Sequence, residues 1–441
     1  MATSKKPEPQ VVTSQEARKI IVPEDLAMKD AAKYCAAAAE AEEEIAPVMR
    51  TFPALPWSGA AALEDVLRSD YSATEYDTSR IECETSSGPR RIVWGVWEVH
   101  GLGRVVCDTD MVGRAMRFQV SVFAKRKHHN RAQELLKRVG DAIATSAFYG
   151  GSALMLVPND EGRLNLYDPP KAVEVERVEA CELILPSALH RAVEAAVLAP
   201  ITRSDEVAEA GLPCRRGILL AGRPGTGKTL TARIAASEAM ERGWSVWYLT
   251  DSRGIEAALE TARLYAPAVL IVEDLDRSMG GDRDGATDRI LNALDGLDRS
   301  SQVVMIATTN AADKLPAPLI RPGRMDSVLV FEEPDEEAAA KLLLLNLPEE
   351  VEDLGTAPAI CAGMLPAAIA EVGRRARLHT LGGSVDATSL EDAARAVRSQ
   401  HALLERAEDG ERPTVPVLRV ISASEDAPLG STPVQAVRVL S

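Results

Sequence analysis

Three glycines, a lysine and a threonine fall together in GRPGTGKTL, Gly222 to Leu230, and these residue types suit phosphate chemistry. Gly222, Gly225 and Gly227 let a backbone curl until successive N–H groups point at one anion, and a helix beginning there adds its partial positive charge. Lys228 would aim a point charge at β- and γ-phosphates, and the Thr229 hydroxyl would ligate Mg²⁺. Candidate phosphate contacts are therefore Gly222, Arg223, Pro224, Gly225, Thr226, Gly227, Lys228, Thr229 and Leu230. Such a site also needs one carboxylate beside the metal and another to orient an attacking water. AVLIVEDLDR offers Glu273 and Asp274, directly after an apolar run. QVVMIATTN ends in Thr308, Thr309 and Asn310, and PAPLIRPGRMD carries Arg321 and Arg324 with Pro322 and Gly323 between them.

The elements around these residues separate a binding loop from an ordinary glycine-rich turn. GILLA, a continuous apolar run, precedes the loop, and LTARIAASEAM, with helical propensity, follows it. That order of strand, loop and helix is the context a phosphate loop requires. WSVWYLT, GIEAALETARLYA, AVLIV, RILNALDGLD and QVVMIATT continue the alternation of strand and helix. The pattern predicts an α/β domain with a parallel sheet buried on both faces, binding its ligand at the carboxyl ends of the strands.

The flanks read differently. Residues 1–25 are polar and predict a flexible amino terminus, and AMKDAAKYCAAAAEAEEEIAP predicts a helix that stops near Pro47. RRIVWGVWEVHG and MRFQVSVFAKRK alternate with period two, as strands do, with Trp94 and Trp97 at half-buried positions. Asn130 and Gln133 suggest a capping box opening a helix, while SALMLVP and LNLYDPP suggest further strands. Residues 26–175 are thus expected to form an α+β amino-terminal domain, residues 176–333 the α/β core and residues 334–408 a helical lid. The tail, 409–441, holds two β-prone runs that could pair, add to a partner's sheet or stay disordered. The basic stretch Lys125 to Arg131 reads as a solvated turn, with an acidic partner or nucleic acid as the alternative.

A formal charge of -16 over 441 residues opposes broad attraction to nucleic acid, without excluding a local basic groove. Six cysteines without a C-x-x-C pair suggest neither a zinc site nor a disulfide framework, and fit a reducing, cytoplasmic setting. No apolar run reaches the roughly 18 to 20 residues that a spanning helix needs, and the amino terminus lacks the apolar middle of a secretory signal.

GRPGTGKT, LIVEDLD, ILNALDGL, VVMIATTN and LIRPGRMD, in this order within roughly residues 180 to 400, resemble the AAA family of ring-forming ATPases in the AAA+ superfamily. The resemblance implies a P-loop core with a small helical lid, ATP and Mg²⁺ as cofactors, and a homo-oligomeric ring, hexameric by analogy. It implies that Gly222 to Thr229 form the Walker A loop, with Lys228 catalytic, and that Glu273 and Asp274 are the Walker B acids, Glu273 serving the metal with Thr229. Asn310 would be the sensor near the γ-phosphate, and Arg321 and Arg324 arginine fingers reaching a neighbouring subunit, worth about 10³ to 10⁵ in rate.

Two departures stand out. Most of the family has Asp then Glu where this chain has Glu273 then Asp274. The branch typified by the mitochondrial translocase of the Rieske iron-sulfur protein shares that reversed order together with LNALDG and LIRPGR. No counterpart of its membrane segment is read here, so its substrate is not carried over. Threading members of the family place an aromatic, gripping loop where this chain has TDSRGIEA, with Arg253 and Gly254 and no aromatic. The implied function is ATP-dependent remodelling of a partner protein that the residues before about 175 recruit. A nucleotide-gated scaffold with little hydrolysis and a DNA-associated motor are the alternatives.

Overall fold

Period-two strands and continuous apolar strands build two different sheets. The computed structural model describes residues 11–14, 17–20, 28–275, 302–311 and 325–408, apart from 86, 114, 165–167, 176, 179–182, 214, 352 and 381–383. Val11–Ser14 (β1) pairs with Ala17–Ile20 (β2) in an antiparallel ribbon, and helix α1 spans Met28–Glu43. Next come β3 (Ile45–Phe52), α2 (Pro56–Asp70), β4 (Ala73–Cys83), β5 (Arg90–Val99), β6 (Gly103–Val112), β7 (Ala115–Lys125) and α3 (His129–Thr145). The five strands form an antiparallel sheet in the order β3-β7-β6-β5-β4.

Alternation leaves one face of this sheet to pack on α2 and α3, where Phe52, Leu55, Leu63, Leu67, Phe118 and Leu135 are buried. Pro56, with its fixed φ, starts α2. Gly59 is required there by close packing, because a Cβ would come within 2.2 Å of the Phe118 ring.

Three local expectations are corrected. The first helix ends at Glu43, and Pro47 lies inside β3, an edge strand whose open side tolerates the missing N–H. The third helix begins at His129 after a single 3₁₀ turn, with His128 at its cap and no side-chain cap bond, so Asn130 and Gln133 form no capping box. Trp97 is buried, 1% exposed, whereas Trp94 is half-buried as expected.

The second sheet contains β8 (Ala153–Leu156), β9 (Lys171–Ala172), β10 (Arg216–Gly222), β11 (Ser245–Leu249), β12 (Ala268–Val272), β13 (Val303–Thr309) and β14 (Ser327–Phe331). Helix α4 (Lys228–Glu241) follows β10, and α5 (Ile255–Leu264) follows β11. The strand order is β14-β10-β13-β12-β11-β8-β9, parallel throughout except for the β8–β9 pair. Every residue of β12 and β13 is buried, as expected for central strands covered on both faces.

A domain boundary near residue 175 leaves β8 with the amino-terminal part, yet β8 hydrogen-bonds to β11 and lengthens the parallel sheet. Both sheets belong to one compact unit, Met1–Leu183 with Ala188–Phe331. Within it, Tyr265 Oη accepts from the Leu55 amide at 2.8 Å and lies 2.5 Å from Ser58 Oγ, while the Arg117 guanidinium on β7 lies 3.6 Å from Glu260 on α5.

The second unit, Ile184–Ser187 with Glu332–Ser441, is helical where described. It holds α6 (Glu336–Leu345), α7 (Ala357–Cys361), α8 (Pro366–His379) and α9 (Ala387–Glu408). Asp335 caps α6 by accepting from the Ala338 amide at 2.8 Å. Leu343, Cys361, Ile369, Val372 and Leu390 build its core. Arg374 and Arg375 both pair with Glu371. The tail 409–441 lies outside the described residues, and among those described no helix is long and apolar enough to cross a membrane.

Candidate functional site at the sheet edge

Strand β10 delivers the glycine-rich loop to the carboxyl edge of the parallel sheet. Gly222 stands opposite Phe331 of β14, where a Cβ would lie 2.3 Å from the Phe331 carbonyl oxygen, so only glycine allows this approach. Gly227, at φ 108°, turns the chain into α4. The loop closes on its own lysine: Lys228 is 5% exposed, and its Nζ donates to the carbonyls of Gly222 and Arg223, both at 2.7 Å. Thr226 Oγ1 donates to the Arg223 carbonyl at 2.8 Å, and Thr229 is exposed at the first turn of the helix. A phosphate entering here would exchange two neutral carbonyl acceptors on the ammonium for charged oxygens, which make stronger hydrogen bonds.

Two strands away, β12 ends in the acids. Glu273 is exposed and Asp274 half-buried. Asp274 has φ 50°, the only positive φ among the described residues other than glycine. Its amide donates to Thr308 Oγ1 at 3.1 Å, and its Oδ1 accepts from Asn310 Nδ2 at 3.0 Å. The parallel register of β12 and β13, Val272 against Ala307, brings these polar ends together. The sequence-derived candidates Asp274 and Asn310 are therefore in direct contact, at the same sheet edge as the Lys228 loop. A carboxylate held in this way can accept a hydrogen bond from a water molecule.

Glu273 and Asp274 open into a cavity of about 350 Å³ with Met155, Val173, Tyr248 and Thr250. The Tyr248 phenol is pushed up to about 12 by burial and, secondarily, by the charge of Glu273. Met155 and Val173 are apolar side chains, whose types carry no chemical signal of their own. Thr250 carries a signal that reading for acids overlooked: it ends the apolar run of β11, as Asn310 ends that of β13. Thr229 and Glu273 present only oxygen donors, which suits a hard cation such as Mg²⁺. Their parent strands are separated by β13 alone, about 10 Å from backbone to backbone. Arg321 and Arg324 lie outside the described residues.

The segment after β11 is held down. Asp251 accepts from the Arg253 amide at 2.9 Å and from its guanidinium at 3.0 and 2.7 Å. Arg253 also donates to the Asp160 carbonyl at 3.4 Å, and Gly254 packs so closely on Pro158 that a Cβ would lie 2.7 Å from it. The loop after β8 thus covers the segment where an aromatic grip was absent from the sequence. Size alone does not mark the chemistry. A larger cavity, about 840 Å³, lies on the antiparallel sheet beside His100, Lys125 and Lys127, and both lysines are paired with Glu43.

The family described as ATPase family associated with various cellular activities (AAA) matches residues 218–333. Protein mac-1 of Caenorhabditis elegans is 33% identical over 171 residues, which cover 35% of this chain. The match spans 21% of that protein, so the chain corresponds to about a fifth of its length.

Proposed function

We propose that this chain, a member of the AAA family of ATPases by its domain at residues 218–333, hydrolyses ATP within a homo-oligomeric ring and uses the cycle to remodel a partner protein. The observation that carries the reading is the Asn310–Asp274 hydrogen bond at the sheet edge that also bears the Lys228 loop. Backbone amides of Gly225 to Thr229 bind the phosphate chain, and Lys228 turns from its carbonyls to the β- and γ-oxygens. Asp274 accepts a hydrogen bond from water, whose oxygen attacks the γ-phosphorus. The bond from that phosphorus to the β–γ bridging oxygen breaks, giving ADP and phosphate. Asn310 keeps the carboxylate aimed. Mg²⁺, held by Thr229 and Glu273, would neutralise charge on the phosphates.

Arg321 and Arg324 act from the neighbouring subunit, which makes the site composite, and the helical unit serves as the moving lid. Phosphate release per subunit should rise steeply with protein concentration, and Arg324→Ala subunits should inhibit wild-type rings beyond their share. Turnover per subunit independent of concentration refutes the assembly, and absence of magnesium-dependent affinity for adenine nucleotides refutes the whole reading. The shorter Asp274 in the water-orienting position favours one rival, a nucleotide-gated scaffold that scarcely turns over. That rival gains if Asp274→Asn leaves phosphate release unchanged while nucleotide still binds.

A further inference from the structure

We propose that Thr308 is a positioning residue for hydrolysis, and that its hydroxyl is what makes the reversed Glu273–Asp274 order workable; the inference rests on the hydrolytic reading above. Asp274 follows β12 by two residues, beyond the last pair of the ladder, so its N–H needs a partner outside the ladder, and its φ of 50° is a left-handed conformation. Thr308, 2% exposed on the adjacent strand, accepts that N–H at 3.1 Å. From this backbone position the carboxylate meets Asn310 Nδ2 at 3.0 Å. Thr308 lies in β13 and Asn310 directly follows the strand's last residue, Thr309, so one strand and its exit hold both the main chain and the side chain of the acid.

Left-handed backbone is tolerated by Asp and Asn several-fold more often than by other non-glycine residues, because their short polar side chains bond locally. Glutamate lacks that advantage. The residue type at 274 therefore matches the backbone it occupies, and the longer acid would fit it worse. Without the Thr308 hydroxyl the amide of the half-buried Asp274 loses the partner that fixes its peptide plane, and the left-handed turn that follows loses a restraint.

The test uses the full chain at assembled concentration, with Thr308→Val, Thr308→Ser and Asp274→Glu. Thr308→Val should lower kcat about tenfold or more, leave KM for ATP nearly unchanged, lower the thermal midpoint by only about a few degrees, and speed hydrogen exchange at the Asp274 amide. Thr308→Ser should restore most of kcat and of the amide protection. Asp274→Glu should lower kcat although it restores the acid usual in the family. Wild-type kcat in Thr308→Val, or a gain of turnover in Asp274→Glu, overturns the inference while hydrolysis by the parent enzyme stands. Should Thr308→Val fail to fold, an active Thr308→Ser with a protected Asp274 amide sustains the proposal, and an inactive one with that amide unprotected and kcat and KM lost together overturns it. A wild-type chain that binds ATP without turnover refutes both readings.

Discussion

Glu260→Gln should destabilise the protein more than Arg117→Met does, although the second change deletes a whole charged group. Arg117 projects from β7 onto α5 with a side chain 10% exposed, whereas its partner Glu260 is 39% exposed at 3.6 Å. At an effective dielectric of 20 the attraction is about 4.6 kcal/mol, and the guanidinium opposes it with a burial cost of several kcal/mol. The pair therefore nets close to zero. Burial already holds the Arg117 pKa below its ordinary value, and its Nη1 is buried without a hydrogen-bond partner among the described residues. Methionine fills similar volume and removes both opposing contributions, so Arg117→Met should change stability by no more than about 1 kcal/mol. Glu260→Gln leaves the cation buried without its counter-charge, which costs about 1–2 kcal/mol after discounting the fully buried figure for the solvent around Glu260. Denaturant titrations of the three proteins, analysed for midpoint and slope, measure the difference. A neutral Glu260→Gln, or an Arg117→Met costing more than about 3 kcal/mol, would refute this balance of terms.

Two further outcomes follow from the geometry. Gly222→Ala should cost about 2 kcal/mol and at least tenfold in ATP affinity, because its Cβ would sit 2.3 Å from the Phe331 carbonyl oxygen, whereas Gly225→Ala, with φ 81° and no described atom within 4 Å of the added Cβ, should cost only about 1 kcal/mol; calorimetry on both variants separates collision from backbone preference. Glu43 is held down to about 2 by its hydrogen bonds to Lys125 and Lys127, below its ordinary 4.5. A carboxylate depressed on folding stabilises above its unfolded value and loses that contribution as pH falls through the folded one, so the α1–β7 contact should loosen between pH 4.5 and about 2. Amide exchange in α1 should show this loosening in the parent protein, more weakly in high salt, and no such pH dependence in Glu43→Gln.

The parts of the fold legible in the sequence are those where one physical signal dominates. Buried β10, β12 and β13 read as apolar runs because both of their faces are covered, and β5 and β7 read as strands through alternating letters, although Arg117 and Ser121, at polar positions of β7, are buried as well. β8 was legible as a strand but not as a member of the parallel sheet. ALML carries no mark of its partner, and the pairing with β11 depends on contacts far along the chain. Likewise Pro47 halts a helix in a local reading, whereas the tertiary structure uses it on a sheet edge. The cap at His128 was missed because a 3₁₀ turn moved the helix start one residue ahead of the polar pair that resembled a capping box.

At the site, the same reasoning explains why residue types were easier to read than roles. A phosphate loop needs glycine, lysine and a hydroxyl in a fixed order, so Gly222 to Thr229 are legible as a candidate in the letters alone. Whether Asp274 can replace a glutamate is a question about backbone, and no letter records a φ of 50°. The letter that does respond to it is one strand away: a threonine at 308, where an aliphatic residue would have continued the apolar run Val303 to Ala307. A buried hydroxyl among aliphatic neighbours needs a hydrogen-bond partner, and the partner here is the amide of the acid itself. The shorter side chain, the left-handed turn and the out-of-place threonine are therefore three expressions of one constraint, the need to hold a carboxylate against Asn310 at the mouth of the sheet.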